Sequence, residues 1–306
     1  MKKFSFALIA AASLFIACNK EEDIIIDNPD DNPSGQPEYL LDYSVIDYTP
    51  APGQYINEKV SGFNDISTME EACRQAENRL RTQSYVSLGA WGGSIAVKFK
   101  NPVANNNGFN FAIAGNAFDT SNEPGIVWVM QDSNHNGLPD DTWFELKGSY
   151  YDKPEYERNF WVTYFRPEPG KDTRWIDCNG NEGYVTWLGS YHNQDYYYPN
   201  WISSDSYTLH GSKLPLLAEK NPETGIWSNP PFEWGYADNH GEDVRAIQVN
   251  GKNIEANAFK ISNAIDEEGN EVTLESVDFI KVQTGINGAT NILGENSTEI
   301  CGFFVL

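Results

Sequence analysis

Ser94-Ile95-Ala96-Val97-Lys98-Phe99-Lys100 decides how this chain folds. Ile95, Val97 and Phe99 fall on one side of an extended backbone, and Ser94, Ala96, Lys98 and Lys100 fall on the other. That period-two alternation belongs to a strand with one face in a core. It recurs downstream, where Phe109, Phe111 and Ile113 alternate with Asn110, Ala112 and Ala114. Further out, short strand-forming runs lie at 126–130, 160–165, 206–209, 244–249, 277–284 and 300–306. Turn chemistry separates them at Asn107-Gly108, Asn179-Gly180, Asn250-Gly251 and Glu268-Gly269-Asn270. Only 67–81 breaks the pattern. There Met69, Ala72, Cys73, Ala76 and Leu80 make one apolar stripe, Ser67 or Thr68 can cap the start, and Glu70 and Glu71 suit the first turn as Arg79 and Arg81 suit the last. The expected fold is all-β, a jelly-roll-like β-sandwich with one short helix and long loops. No repeat of fixed period points to a propeller.

The first residues do not belong to that sandwich. Lys2 and Lys3 precede an apolar run too short for a membrane-spanning helix, which reads as a signal peptide over 1–17. The run ends Phe15-Ile16-Ala17-Cys18, similar to a bacterial lipobox, although Phe15 stands where leucine is usual. Cys18 is therefore the expected lipidation site, and the lipid anchor the expected membrane contact. Asn19-Lys20-Glu21-Glu22-Asp23 resembles the signal that sends some lipoproteins to the cell surface of the outer membrane. Residues 27–37 hold three prolines and three aspartates with no apolar periodicity, so 18–38 is expected to be a tether and 39–306 the folded domain.

The net charge of −23 becomes −25 once Lys2 and Lys3 are removed, and so acidic a surface argues against nucleic acid and anionic lipid as partners. Cys73, Cys178 and Cys301 are odd in number and lack metal spacing, which allows at most one disulfide and implies no zinc site.

One loop carries specific chemistry. Asp132, Asn134, Asn136 and Asp140 stand at positions 1, 3, 5 and 9 of a run with Gly137 at position 6, the ligand spacing of calcium loops. Leu138 would add its carbonyl. Position 12, a glutamate in EF-hands, is Trp143 here, with Asp141 or Glu145 as substitutes. Because no helix flanks the loop, calcium is expected as a structural staple between strands. The plain alternative is a loop closed by its own Asx-turns. Asp177-Cys178-Asn179-Gly180-Asn181-Glu182 copies part of the spacing and reads as a turn.

Two loops concentrate aromatic side chains: Trp187, Tyr191, His192, Tyr196, Tyr197, Tyr198 and Trp201 in one, Trp227, Phe232, Trp234 and Tyr236 in the other. Flat rings with polar tips suit sugars, planar ligands or protein surfaces, and packing under sheet edges is the competing role. The four histidines show no paired metal spacing, and no nucleophile elbow or phosphate loop occurs. Gly89-Ala90-Trp91-Gly92-Gly93 reads as a tight turn leading into a strand. No catalytic residues are assigned, and an enzyme is not expected.

Several segments together are similar to a group of bacterial cell-surface lipoproteins. They are Ser87-Leu88-Gly89-Ala90-Trp91-Gly92-Gly93, Gly115-Asn116-Ala117-Phe118-Asp119, Glu123-Pro124-Gly125-Ile126-Val127 and the calcium-like loop through Leu146. Asp205-Ser206-Tyr207-Thr208-Leu209, Trp234-Gly235-Tyr236-Ala237-Asp238-Asn239, Ile261-Ser262-Asn263-Ala264 and 278–285 follow in order. Members of that group accompany vitamin B12 uptake components of the outer membrane, and some bind corrinoids. The resemblance implies corrinoid capture for an outer-membrane transporter. A glycan-binding lipoprotein and a surface glycoside hydrolase are the alternatives. The resemblance assigns no ligand contacts, so Trp187, Tyr191, His192, Tyr196, Tyr197, Tyr198, Trp201, Trp234 and Tyr236 are binding candidates on their chemistry alone.

Overall fold

The strand announced by Ser94-Ile95-Ala96-Val97 runs Ser94–Ala104 and lies second in a six-stranded antiparallel sheet. The order across that sheet is Tyr43–Thr49, Ser94–Ala104, Ser276–Thr284, Gly125–Met130, Phe144–Leu146 and Ala264–Ile265. The computed structural model describes residues 42–225, 227–249, 251–289 and 294–306. The expected signal peptide, lipidation site Cys18 and tether lie outside the described residues.

Register places Val45, Val97, Ile280, Val129 and Phe144 in one cross-strand row. A second sheet orders Val244–Val249, Lys252–Phe259, Phe111–Ala114 and Gly302–Val305. Its Phe111, Ile113, Phe259 and Phe303 share one core with that row, and Ala72, Ala76 and Leu80 of the helix join them. Two sheets with interleaved apolar faces make the architecture all-β and sandwich-like, with one α-helix.

The helix spans Met69–Arg81 and starts at Thr68, whose side chain accepts from the Glu71 amide while Glu71 returns the bond, a capping box. It lies beside the edge strand Tyr43–Thr49, and Glu77 Oε2 accepts the Val45 amide at 3.0 Å. The helix thereby covers an edge that would otherwise present unpaired backbone groups.

Three features depart from the sequence pattern. The polar side of Ser94–Ala104 is covered, with Ser94 and Ala96 both buried. Across the sheet that side continues through Asp47, Lys281, Trp128 and Glu145. Lys281 Nζ sits 5.0 Å from the Trp128 ring and 4.9 Å from that of Trp143, and burial pushes its ammonium down to about 8. Second, the apolar run at 300–306 is divided between two sheets. Glu299–Ile300 pairs with Val86–Ser87 and Gly302–Val305 with Phe111–Ala114. Third, a further sheet orders Ser206–Lys213, Glu157–Phe165, Thr173–Asp177 and Glu182–Val185 around its own core of Trp91, Phe160, Val162, Tyr164 and Leu209. The described residues nevertheless fall within one compact unit. Cys73, Cys178 and Cys301 form no disulfide.

Ile280 lies at the middle of the buried row, with no exposure. Truncating Ile280→Ala removes buried methylenes and leaves a cavity, so chemical denaturation should show a loss of about 2–5 kcal/mol. A loss under about 0.5 kcal/mol would contradict this assignment of the core.

Candidate functional site

The calcium-like loop joins Gly125–Met130 to Phe144–Leu146 as a hairpin connection. Its residues do converge. Asp132 accepts from the amides of Asn136 (3.1 Å) and Gly137 (2.8 Å), and Asp140 accepts from Asn134 Nδ2 (3.3 Å) and Asn136 Nδ2 (3.0 Å). His135 and Gly137 take the left-handed backbone such a tight turn requires. Lys98 Nζ donates to the Gly137 carbonyl at 2.7 Å. The loop is thus closed by its own Asx-type bonds, with the Asn134 and Asn136 amide nitrogens turned to Asp140 and their oxygens accepting the amides of Asn136 and Leu138.

Glu145 is a correction to that ligand set. It lies in the strand, 2% exposed, and its carboxylate accepts from Ser212 Oγ at 2.6 Å and from the Tyr156 hydroxyl. Strand alternation turns it into the sheet rather than toward the loop. The weaker Asp177 motif is a plain turn, with Asp177 Oδ1 accepting the amides of Asn179 and Asn181.

The aromatic candidates divide sharply. Tyr197, Tyr198 and Trp201 belong to the core, as does Tyr236, and each polar tip has an internal partner. Tyr197 donates to the His192 carbonyl, Tyr198 to that of Ser204, and Trp201 Nε1 to that of Tyr48, while Tyr236 Oη accepts the Tyr150 amide. These four are corrected from ligand platforms to packing residues. Buried rings on irregular segments satisfy the same sequence pattern as exposed ones. Trp187 is half-buried against the third sheet, its Nε1 donating to the Gln194 carbonyl, and Tyr196 is half-buried. Trp234 lines a separate cavity of about 320 Å³ beside Phe109 and Lys260.

Of these candidates, Tyr191 and His192 line a cavity of about 690 Å³. Its rim is aromatic: Tyr55, Tyr85, Tyr191, His192 and Trp227. His192 stands edge-on to Tyr55 at 4.8 Å and contacts Glu58 Oε1 through Nδ1 at 3.0 Å. The same lining carries Glu123, Glu295 and Glu299, with Asn116, Asn229 and the cation Arg79.

That acidic wall is assembled from distant segments. Asp238, buried behind it, accepts the amides of Asn116 (2.7 Å), Ala117 (2.8 Å) and Glu299 (2.9 Å). Glu123 Oε1 accepts the Ser297 amide at 3.0 Å, and Glu299 Oε1 accepts from Ser87 Oγ at 3.1 Å. Glu295 Oε1 accepts the Gln54 amide at 2.6 Å. One oxygen from each of Glu123, Asp238 and Glu299 lies within 4.8 Å of the others. Among the described residues no lysine, arginine or histidine forms an ion pair with any of these carboxylates.

Burial therefore dominates their protonation. It pushes Glu123 up to about 8, helped by the Asp238 charge, and Glu295 up to about 7. Burial raises Asp238 and Glu299 as well, with the neighbouring carboxylate second in each case. Chemically the wall can hold protons, accept hydrogen bonds from a ligand, or take up a hard cation. Sequence reading missed Glu123, Asp238, Glu295 and Glu299, because acids are abundant and these four are separated along the chain. The one available signal was that Glu123 and Asp238 fall inside the quoted motif segments.

No protein-family model matches the chain, and no curated protein matches it.

Two tests follow from this geometry. Trp201→Ala should cost about 3–5 kcal/mol in chemical denaturation, whereas Tyr191→Ala, 84% exposed, should stay within about 0.5 kcal/mol. Equal effects would refute the division between core and rim. In chelator, Glu123 and Glu295 bind their protons more tightly folded than unfolded. Their stabilising contribution is complete below the unfolded value of 4.5 and is lost as pH rises through about 7 and 8. The melting temperature should fall across that window, and Glu123→Gln should flatten the fall. Parallel curves for the two proteins would show that Glu123 titrates normally.

Proposed function

We propose that this chain is a lipoprotein of the outer-membrane surface, anchored through Cys18, which captures a corrinoid such as vitamin B12 and passes it to an outer-membrane transporter. It acts as a binding protein rather than an enzyme. The observation that carries the proposal is the cavity of about 690 Å³ with an aromatic rim and a carboxylate wall. Its size lies in the range of small-molecule sites, about 300–1,000 Å³. Corrinoids combine a broad, flat macrocycle with primary-amide arms. Tyr191, Tyr55 and Trp227 offer faces to the ring, and Glu123, Glu295 and Glu299 offer acceptors to amide N–H groups. Such a ligand exceeds the cavity, so its arms enter while the ring lies across the rim. The similarity of the motif segments to B12-associated surface lipoproteins supports the same reading, and a calcium ion in the Asp132–Asp140 loop would hold the neighbouring hairpin.

A second reading, glycan binding, has one specific support, since carboxylate acceptors facing aromatic rings also suit sugar hydroxyls and ring faces. Calorimetric titration separates the two. Cyanocobalamin should bind at micromolar concentration or tighter, with Tyr191→Ala or Trp227→Ala weakening it about tenfold, the scale of one aromatic contact at about 1.4 kcal/mol. No heat with cyanocobalamin and saturable heat with oligosaccharides would replace the first reading by the second.

A further inference from the structure

We propose that Glu123, Asp238 and Glu299 form a site for a hard divalent cation such as calcium at the wall of the large cavity, separate from the Asp132–Asp140 loop. The site stands whether or not the cavity takes a corrinoid.

Three independently held carboxylates meet there. Asp238 is positioned by three backbone amides, Glu123 by the Ser297 amide and Glu299 by the Ser87 hydroxyl. Each therefore presents oxygen without having to be recruited from a mobile side chain. A fourth carboxylate gives an independent indication of a missing positive partner. Glu295 lines the same cavity and is 5% exposed, yet its Oε2 has no hydrogen-bond partner among the described residues. A buried carboxylate oxygen left unpaired costs free energy, and unpaired like charges beside it add to that cost. A cation shared by the first three would relieve the field on all four.

The donor set selects the ion. It contains oxygen alone, with no histidine or thiolate, which favours a hard cation over zinc or copper. The oxygens all lie within 4.8 Å of one another, close enough for one hard cation such as calcium to be shared among them. Three side chains do not fill the six to eight positions calcium takes. Glu123 and Glu299 line the cavity, so water or oxygen atoms of an occupant could supply the rest.

The test uses the full chain, stripped with chelator and titrated with calcium chloride by calorimetry. Terbium luminescence excited through tryptophan gives a second readout, because Trp227 lines the same cavity. Replacing Asp132→Ala and Asp140→Ala together isolates the cavity site. In that background one calcium should still bind and raise the melting temperature, and Glu123→Gln with Glu299→Gln should weaken it at least tenfold. Glutamine keeps an oxygen for the Ser297 amide, so circular dichroism should show the fold retained. If the loop variant fails to fold, Glu123→Gln alone in the unmodified loop should lower the calcium stoichiometry by one or weaken one site at least tenfold. Calcium binding that the glutamine substitutions leave unchanged, or none in a folded loop variant, would overturn the proposal.

Discussion

Asp238 ties together separated segments of the chain beside the cavity. Its two carboxylate oxygens take the backbone amides of Asn116 and Ala117, just beyond the strand Phe111–Ala114, and that of Glu299. Gly115 makes this approach possible, since a Cβ there would stand 2.4 Å from Asp238 Oδ1. One buried side chain thus joins the second sheet, the 234–239 loop and the last crossing between sheets. The three backbone hydrogen bonds offset part of the cost of burying the group.

The same constraint shapes the cavity. Glu295, Asn296, Ser297, Thr298 and Glu299 are all buried, a run of polar residues in a place where a sandwich would ordinarily put apolar ones. Their groups are spent largely on cross-links: Ser297 Oγ with Ser87 Oγ at 2.7 Å and with the Gly89 amide at 3.0 Å, Thr298 Oγ1 with the Glu123 carbonyl at 2.7 Å. A polar network of this density holds one geometry well. The cation in the cavity lining, Arg79, is turned to the Tyr85 and Ser61 carbonyls. The Asp132–Asp140 loop differs in kind, because its acids and amides are close in sequence and close upon themselves in an exposed hairpin.

Much of the fold was legible before any coordinates. Alternation in Ser94–Ala104 and the capped stripe of Met69–Arg81 are local, and local periodicity is what strands and helices obey. The hairpin carrying the calcium-like spacing was legible for the same reason. The third sheet was less so, since Thr173–Asp177 and Glu182–Val185 are short and mostly half-buried or exposed. The split at Cys301 was invisible, because an unbroken apolar run does not reveal that its halves pair with different sheets.

The aromatic residues show where that legibility ends. Tyr191 and Tyr198 sit in one segment of one composition, yet the first is 84% exposed and the second fully buried. Which ring faces a cavity depends on what the rest of the chain places opposite it. The sequence by itself determined the all-β class, the single helix, the turns and the loop with calcium spacing, all set by interactions among near neighbours. Tertiary structure alone decided that Glu123, Asp238, Glu295 and Glu299 meet, since their proximity depends on long-range strand pairing and on hydrogen bonds between separated segments.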